Sequence, residues 1–437
     1  MNFVLGQLGR FLCACVRQAL ERERPFVIGV AGSVGKSSTK TALGVALGVG
    51  EVGSSVVASI DSFNNELGLP LTILGLAAPG RSVLAWAGLV LKGSLTALGL
   101  LKLRARMFVL ELGTDRPGNL AYLIKIAKPQ VAVLTAIGPE HTEFFGSVTG
   151  VAQEEGMIIR DLGPDDMVVI NADDPEIARL TPEVTARLMS FGTAEQAEVR
   201  LLSYKVRLEE QQPEASGLDV TIAVLGATRT LQLTGTVGRS QAYAVAAALT
   251  VVSAIDGDDQ LALSRLESRF HGMPGRMSLI LGIKRTWLID DSYNSSPLAA
   301  LSALRDLAAF PVAEDCRRIA ALGDMLELGS LAEEFHTEVG RAVAAAGVDM
   351  LVGCGTFAHI VARAARDAGM SDERIFTFAH SADAGRFIQD RLKTGDVVLV
   401  KGSQGVRMEK IVRELMAHPL RAQELLVRQT SDWLNKK

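Results

Sequence analysis

From Phe26 onward, short β-branched apolar runs alternate with longer helical stretches, and the alternation recurs in two separate series along the chain. A parallel sheet covered by helices produces that pattern. The first series predicts strands at Phe26–Val30, Met107–Leu112, Val131–Ile137 and Met167–Asn171. The second predicts Trp287–Asp290, Arg318–Leu322, Met350–Val352, Arg374–Phe378 and Val397–Val400. Between them, residues Val199–Val237 alternate apolar and polar positions, as an antiparallel patch does, and an alanine-rich helix follows at about Ser240–Ala254. Turn formers in Phe270-His-Gly-Met-Pro-Gly-Arg276 mark a joint. The expected fold is α/β: an N-terminal helix over 1–25, a central domain with a mostly parallel sheet over 26–269, and a Rossmann-like α/β domain over 270–437.

A chain of 437 residues suits two or three domains, and 48% apolar with 22% charged residues excludes a disordered one. With 45 basic against 49 acidic side chains and a net charge of −4, nucleic acid is not an expected partner. Cys13, Cys15, Cys316 and Cys354 lack zinc-like spacing and read as reduced thiols. The run Met1–Leu20 is interrupted by Arg10 and Arg17 and has no clear cleavage site, so no secretory signal is expected and the placement is cytoplasmic. The stretch 79–106 stands apart. Val83–Leu101 carries one charge, Lys92, and is flanked by Arg81, Lys102, Arg104 and Arg106. Its glycines and central lysine make a poor spanning helix, and a packed or interfacial helical hairpin fits better. It either packs internally or makes a peripheral contact with an anionic membrane surface.

Ala31-Gly-Ser-Val-Gly-Lys-Ser37 follows the first strand and opens a helix. Backbone N–H groups of such a loop cradle phosphates, Lys36 neutralises them, and the Ser37 hydroxyl ligates magnesium. Val30 stands where the strict P-loop pattern has a glycine, leaving the shorter G-x-x-G-K-S form. Ligands in open α/β sheets bind beyond the carboxyl ends of strands. Glu111, His141 and the turn Asn171-Ala-Asp-Asp174 sit at such ends. A carboxylate in an apolar strand is costly unless paired or metal-bound, and with an imidazole nearby it suits magnesium beside a γ-phosphate.

Together these residues resemble the Mur ligase family. The resemblance rests on Gly32-Ser-Val-Gly-Lys-Ser-Ser-Thr-Lys40, Asn64-Asn-Glu-Leu-Gly-Leu-Pro70, Glu111-Leu-Gly113, Ile137-Gly-Pro-Glu-His141 and Phe145-Gly-Ser147. It continues through Gly275-Arg276, Asp290-Asp-Ser-Tyr-Asn-Ser-Ser-Pro297, Leu322-Gly-Asp-Met-Leu-Glu-Leu-Gly329 and Lys401-Gly-Ser403, and is nearest to the MurF branch. What it implies is a ligase using ATP and Mg2+ to phosphorylate the carboxylate of a peptide-bearing cell-wall precursor. An amine or dipeptide acceptor, D-alanyl-D-alanine in this branch, then attacks the acyl phosphate. By the same resemblance, ATP is held by Gly32, Ser33, Val34, Gly35, Lys36, Ser37, Ser38, Gln241, Arg276, Asp291 and Asn294. Magnesium falls to Ser37, Glu111, His141 and Glu155, and substrate to Asn64, Asn65, Asp324, Lys401 and Ser403. Catalysis falls to Lys36, Asn65, His141, Glu155 and Arg276.

Four departures from the family pattern shape the expectation. About 25 residues precede the first strand where MurF enzymes carry a domain for the UDP-sugar, so a chain lacking that domain is expected. Glu155 occupies the place of the family's carbamylated lysine; the family's histidine–asparagine helix start reads Gly238-Arg-Ser-Gln-Ala-Tyr-Ala244, where Gln241 can stand for one asparagine and Ala244 cannot stand for the other; and 79–106 reads as an insertion. Two other readings stay open: a related ligase acting on a different peptide or a lipid-linked precursor, and a catalytically silent nucleotide-binding scaffold.

Overall fold

The computed structural model describes residues 2–59, 64–80, 82–224 and 226–434, so Arg81 lies outside the described residues. Its first sheet contains β1 (Phe26–Ala31), β2 (Val56–Ala58), β3 (Met107–Glu111), β4 (Val131–Leu134), β5 (Met167–Asn171), β6 (Arg187–Gly192), β7 (Val199–Arg207), β8 (Gly217–Val224) and β9 (Ala227–Thr234). They lie in the order β2-β3-β1-β4-β5-β6-β7-β8-β9. Pairing is parallel as far as β7 and antiparallel across β7–β8 and β8–β9. The second sheet contains β10 (Ser278–Leu281), β11 (Trp287–Asp291), β12 (Arg318–Gly323), β13 (Met350–Cys354), β14 (Ile375–Phe378) and β15 (Val397–Lys401), in the order β10-β11-β15-β12-β13-β14. Only β10 runs antiparallel there.

Side chains alternate across a strand, so each central strand of the first sheet feeds two cores. Ile28, Val30, Val109 and Val133 face one side, where the Arg239–Ala254 helix covers them. Its run of alanines explains the close fit: small side chains let it pack against β6, β7 and the helix Lys36–Ala46. Val27, Phe108, Leu110 and Leu134 face the other side with Leu12 and Val16 of the Asn2–Glu23 helix. Phe108 is fully buried, and truncating such a ring to alanine costs about 3–5 kcal/mol.

The strand orders place the functional ends. In the first sheet β1 lies between β3 and β4, and in the second β15 lies between β11 and β12. Each is a point where connections diverge to opposite sides and a crevice opens at the carboxyl ends. Three strands escape the sequence pattern: β2, which has three residues; β6, whose first two residues are exposed; and the edge strand β10. The stretch 79–106 forms one helix, Val83–Ala97, and not a hairpin. Gly99, at φ 80°, ends it, and the Arg22 guanidinium donates to the carbonyls of Thr96 (2.7 Å) and Ala97 (2.6 Å), capping its last turn. Its partner is therefore the Asn2–Glu23 helix. No helix among the described residues is long and apolar enough to cross a membrane, and none of the four cysteines forms a disulfide.

Candidate active site

The loop after β1 needs its glycines. Gly32 has φ 124°, and a Cβ there would stand 2.4 Å from Thr135 Oγ1 and 2.8 Å from the Ala136 carbonyl. Gly35 has φ 93° and precedes the helix Lys36–Ala46, whose first N–H groups have no side-chain cap. Such an uncapped N-terminus is a ready anion site. From behind, Thr135 Oγ1 donates to the Val34 carbonyl (2.7 Å), and Gly138 N donates to Ser33 Oγ (3.0 Å). Glu155, ending the Val148–Glu155 helix, accepts the Gly32 N–H through Oε2 at 2.7 Å. Burial pushes the Glu155 carboxyl up to about 7, although Lys36 and the Gly32 N–H pull the other way. Lys36 donates to the Gly32 carbonyl and lies 3.5 Å from Glu140. Burial opposes its charge, but Glu140, Glu155 and Glu111 outweigh that and raise its pKa above the ordinary value.

Glu111, at the end of β3, is buried and well partnered. Its Oε1 accepts from Ser37 Oγ (3.1 Å) and Asn64 Nδ2 (3.2 Å), while Oε2 lies 3.3 Å from the Lys40 ammonium. That Oε2 is enclosed yet accepts no hydrogen bond. The Ser37 hydroxyl and the Glu111 carboxylate, whose enclosed Oε2 has the Lys40 charge opposite it, are hard oxygen donors of the kind magnesium takes. Among the described residues there is no cluster of three or more metal-ligating side chains.

His141 joins the two sheets' domains. It sits in the left-handed region (φ 53°), with Nδ1 2.6 Å from Glu327 and Nε2 3.5 Å from Asp115 and 3.8 Å from Glu140. Beside it, Thr142 Oγ1 donates to the Leu328 carbonyl and Glu143 N to the Glu327 carbonyl, both at 3.2 Å. From the joint, Arg276 reaches back to donate to Ser37 Oγ at 3.2 Å. Its guanidinium lies 4.1 Å from the Tyr293 ring centre, and Arg428 lies 5.5 Å from the same centre. Arg428 is itself held by the carbonyls of Ser292 and Tyr293 and by Glu409, which also binds Arg407.

A cleft of about 720 Å³ opens between the domains. Lys36, Ser37, Asn64, Asn65, Glu111, His141 and Ser403 line it. A smaller recess of about 70 Å³ on the far side of the loop is lined by Val34, Ser38, Gln241, Asp291 and Lys401. Ser33, Gly35, Arg276 and Asn294 contribute to both. Gly32, Glu155 and Asp324 are not among the lining residues of either. The Asp324 carboxylate accepts from the N–H groups of Thr356 and Phe357, each at 2.8 Å. Lys401 is paired with Asp291 (2.6 Å) and donates to the Asn294 carbonyl (3.0 Å), placing it on the recess side. Gln241 Nε2 donates to Ser38 Oγ (3.1 Å) and to the Arg276 carbonyl (2.9 Å), leaving its buried Oε1 without a partner. Sequence reasoning gave no role to Lys40, Tyr293, Glu327, Arg428 or Glu409. Only Lys40, three residues after Ser37 and so on the same helix face, and Tyr293, inside the Asp290–Pro297 block, carried a readable signal.

Residues 91–252 match the model of the Mur ligase middle domain, and residues 275–404 match that of the Mur ligase glutamate ligase domain. The UDP-N-acetylmuramoyl-tripeptide–D-alanyl-D-alanine ligase of Bacillus subtilis is 28% identical over 397 residues, covering 90% of this chain and 76% of the relative. The Escherichia coli enzyme of the same name is 27% identical over 417 residues, covering 92% of this chain and 79% of the relative. The solved structure of Thermotoga maritima MurF ligase in complex with ADP superposes with a TM-score of 0.74 at 26% identity, covering 93% of this chain and 83% of that one.

Proposed function

The chain belongs to the Mur ligase family of ATP-dependent carboxylate–amine ligases, and from that premise we propose that it joins D-alanyl-D-alanine to the terminal carboxylate of a muramyl tripeptide in peptidoglycan precursor synthesis. The observation that carries this is one cleft holding Lys36, Ser37, Glu111 and His141 from the first sheet's domain opposite Arg276, Asn294 and Ser403 from the second.

In this reading the loop N–H groups, Lys36 and Arg276 hold and neutralise the phosphates of ATP. Asn64 and Asn65 align the donor carboxylate with the γ-phosphate, so its oxygen takes the phosphoryl group and ADP departs. The acceptor amine then attacks the acyl carbon, an amide forms, and inorganic phosphate leaves. Ser37 and Glu111, with His141 on the same cleft, would hold magnesium, which would supply charge neutralisation at the transferred group, while Glu155 braces the loop from behind through the Gly32 N–H. The contacts of His141, Thr142 and Glu143 with residues 327–328 close the cleft and exclude water from the acyl phosphate. Asp291 and Asn294 serve the ribose and base, and Ser403 serves the acceptor side.

A second reading, a related ligase for a lipid-linked precursor, is favoured by one observation. The largely exposed apolar helix Val83–Ala97 meets the end of the helix Gly68–Leu74, which leads out of Asn64–Asn65, at one point, where a Cβ on Gly93 would stand 3.8 Å from Leu74. The test is phosphate release coupled to mass detection of the amide, with ATP, a muramyl tripeptide and D-alanyl-D-alanine, then with lipid-linked donors and other acceptors. Amide formed with the soluble tripeptide supports the first reading, and amide formed only with lipid-linked donors supports the second. Absence of phosphate release with every donor overturns both.

A further inference from the structure

The helix Val83–Ala97 has two unlike faces. Leu89, Gly93, Thr96 and Ala97 are buried, and a Cβ at Gly93 would stand 3.0 Å from Leu12 and 3.7 Å from Cys15 on the Asn2–Glu23 helix. Leu84, Gly88, Leu91 and Leu98 fall within an arc of about 80° on the opposite side. There Leu84 is 85% exposed, Leu91 60% and Leu98 71%. Leu100 and Leu101 extend the strip through the turn that follows. Soluble helices turn such a stripe inward, and a contiguous apolar patch left outside marks an interaction surface.

The surroundings are cationic. Lys102, Arg104 and Arg106 are exposed just beyond the strip and Lys92 is half-buried within the helix, while no carboxylate occurs from Leu67 to Leu110. Lys92 is held below its ordinary pKa by partial burial and by the Arg104 charge, so positive groups here crowd one another. A second copy of the chain is a poor occupant, because a two-fold contact would set these cations against themselves. Spanning a bilayer is excluded too: 15 helical residues reach about 22 Å, short of the roughly 30 Å hydrocarbon layer.

We propose that this face is a docking surface for an anionic phospholipid bilayer. The helix lies in the plane of the headgroups with its leucines in the acyl boundary and Lys102, Arg104 and Arg106 over the lipid phosphates. The inference is independent of which donor the ligase accepts. It gives the stretch 79–106 two roles at once, one face packed inward and the other turned to lipid.

Flotation of the full chain with vesicles of phosphatidylcholine, with and without phosphatidylglycerol, tests it. The chain floats with the anionic vesicles at low salt and is released at high salt. Each cation near such a surface strengthens partitioning about five-fold, so Lys102→Gln/Arg104→Gln weakens it about 25-fold. Leu84→Ser/Leu91→Ser/Leu98→Ser abolishes flotation while leaving melting temperature and turnover of soluble substrates unchanged, since these side chains are exposed and remote from the cleft. Three outcomes overturn the proposal: a chain that stays soluble at low salt, equal binding to neutral and anionic vesicles, or leucine variants that only convert a dimer into a monomer.

Discussion

Asp306 offers the sharpest energetic test. It sits in the helix Pro297–Ala309 of the second domain, is buried, and accepts the Arg239 N–H through both carboxylate oxygens at 3.1 Å. It thereby caps the helix Arg239–Ala254 from across the domain joint. Burial pushes its carboxyl from the ordinary 3.8 up to about 7, only partly offset by that N–H and by Arg239 and Arg305. For a carboxyl raised in the folded state, the associated stability is complete below about pH 4 and is lost as pH rises through about 7. A shift of about three units at 1.36 kcal/mol per unit amounts to roughly 4 kcal/mol lost across that window.

Asp306→Asn keeps a carbonyl oxygen for the Arg239 N–H and removes the titration. The variant should match the wild type within about 1 kcal/mol at pH 4 and exceed it by about 3–4 kcal/mol at pH 8. Turnover should stay within a few-fold, because the helix start that carries Gln241 keeps its acceptor. Urea unfolding at both pH values measures the difference. A variant less stable than wild type at pH 8, or a difference that does not change with pH, refutes the reasoning. Asp306→Ala is the contrasting control: it too removes the titration but leaves the Arg239 N–H unpaired, so it should lie about 1–3 kcal/mol below Asp306→Asn at every pH.

Lys36→Ala should abolish ATP turnover while the chain stays folded by circular dichroism; normal phosphate release from a folded variant would remove the central claim. Glu155→Gln should slow turnover strongly and raise the magnesium concentration needed for half-maximal rate, and the wild-type rate should be indifferent to added bicarbonate. An unaltered rate and magnesium dependence in that variant would show that the carboxylate takes no part in the chemistry. Arg428→Ala should loosen Tyr293 and hence Arg276, lowering kcat about ten-fold, with partial recovery in Arg428→Lys. A change confined to melting temperature would limit Arg428 to a structural role.

Much of the architecture was legible because the signals were local. The β-branched runs gave most parallel strands within one or two residues, and the alternation from Val199 gave β7, β8 and β9. β2 and β6 were not legible: three residues carry too little pattern, and Arg187 and Leu188 at the start of β6 face solvent. At the site, motif spacing singled out Lys36, Ser37, Asn64, Asn65, Glu111, His141 and Ser403, which line the cleft. It equally singled out Glu155 and Asp324, which do not, and it did not indicate what holds any of them. Glu111 looked like a lone buried carboxylate, yet Lys40 is its counter-charge from the helix across the crevice. Glu155 was read for metal or charge alone, and its contact with the Gly32 N–H depends on tertiary placement 123 positions apart in sequence. The clasp between His141 and Glu327 spans 186 positions, and no local periodicity announces such a pair.

The orientation of Gln241 has a consequence for which nucleotide the recess favours. Its Nε2 donates inside the protein to Ser38 Oγ and to the Arg276 carbonyl, and turning the amide over would set its oxygen against that carbonyl, which can only accept. Gln241 lines the recess and its Oε1 is buried without a partner, so a base that brings an N–H to that oxygen is rewarded and one that brings a carbonyl is penalised. An unmet buried acceptor costs about 1–3 kcal/mol, equivalent to roughly five- to 150-fold in relative affinity. With the base placed as proposed, the amine edge of adenine satisfies that oxygen and the carbonyl edge of guanine repels it. Discrimination between ATP and GTP then arises from one amide whose direction the protein has already settled, and Gln241→Leu should narrow it.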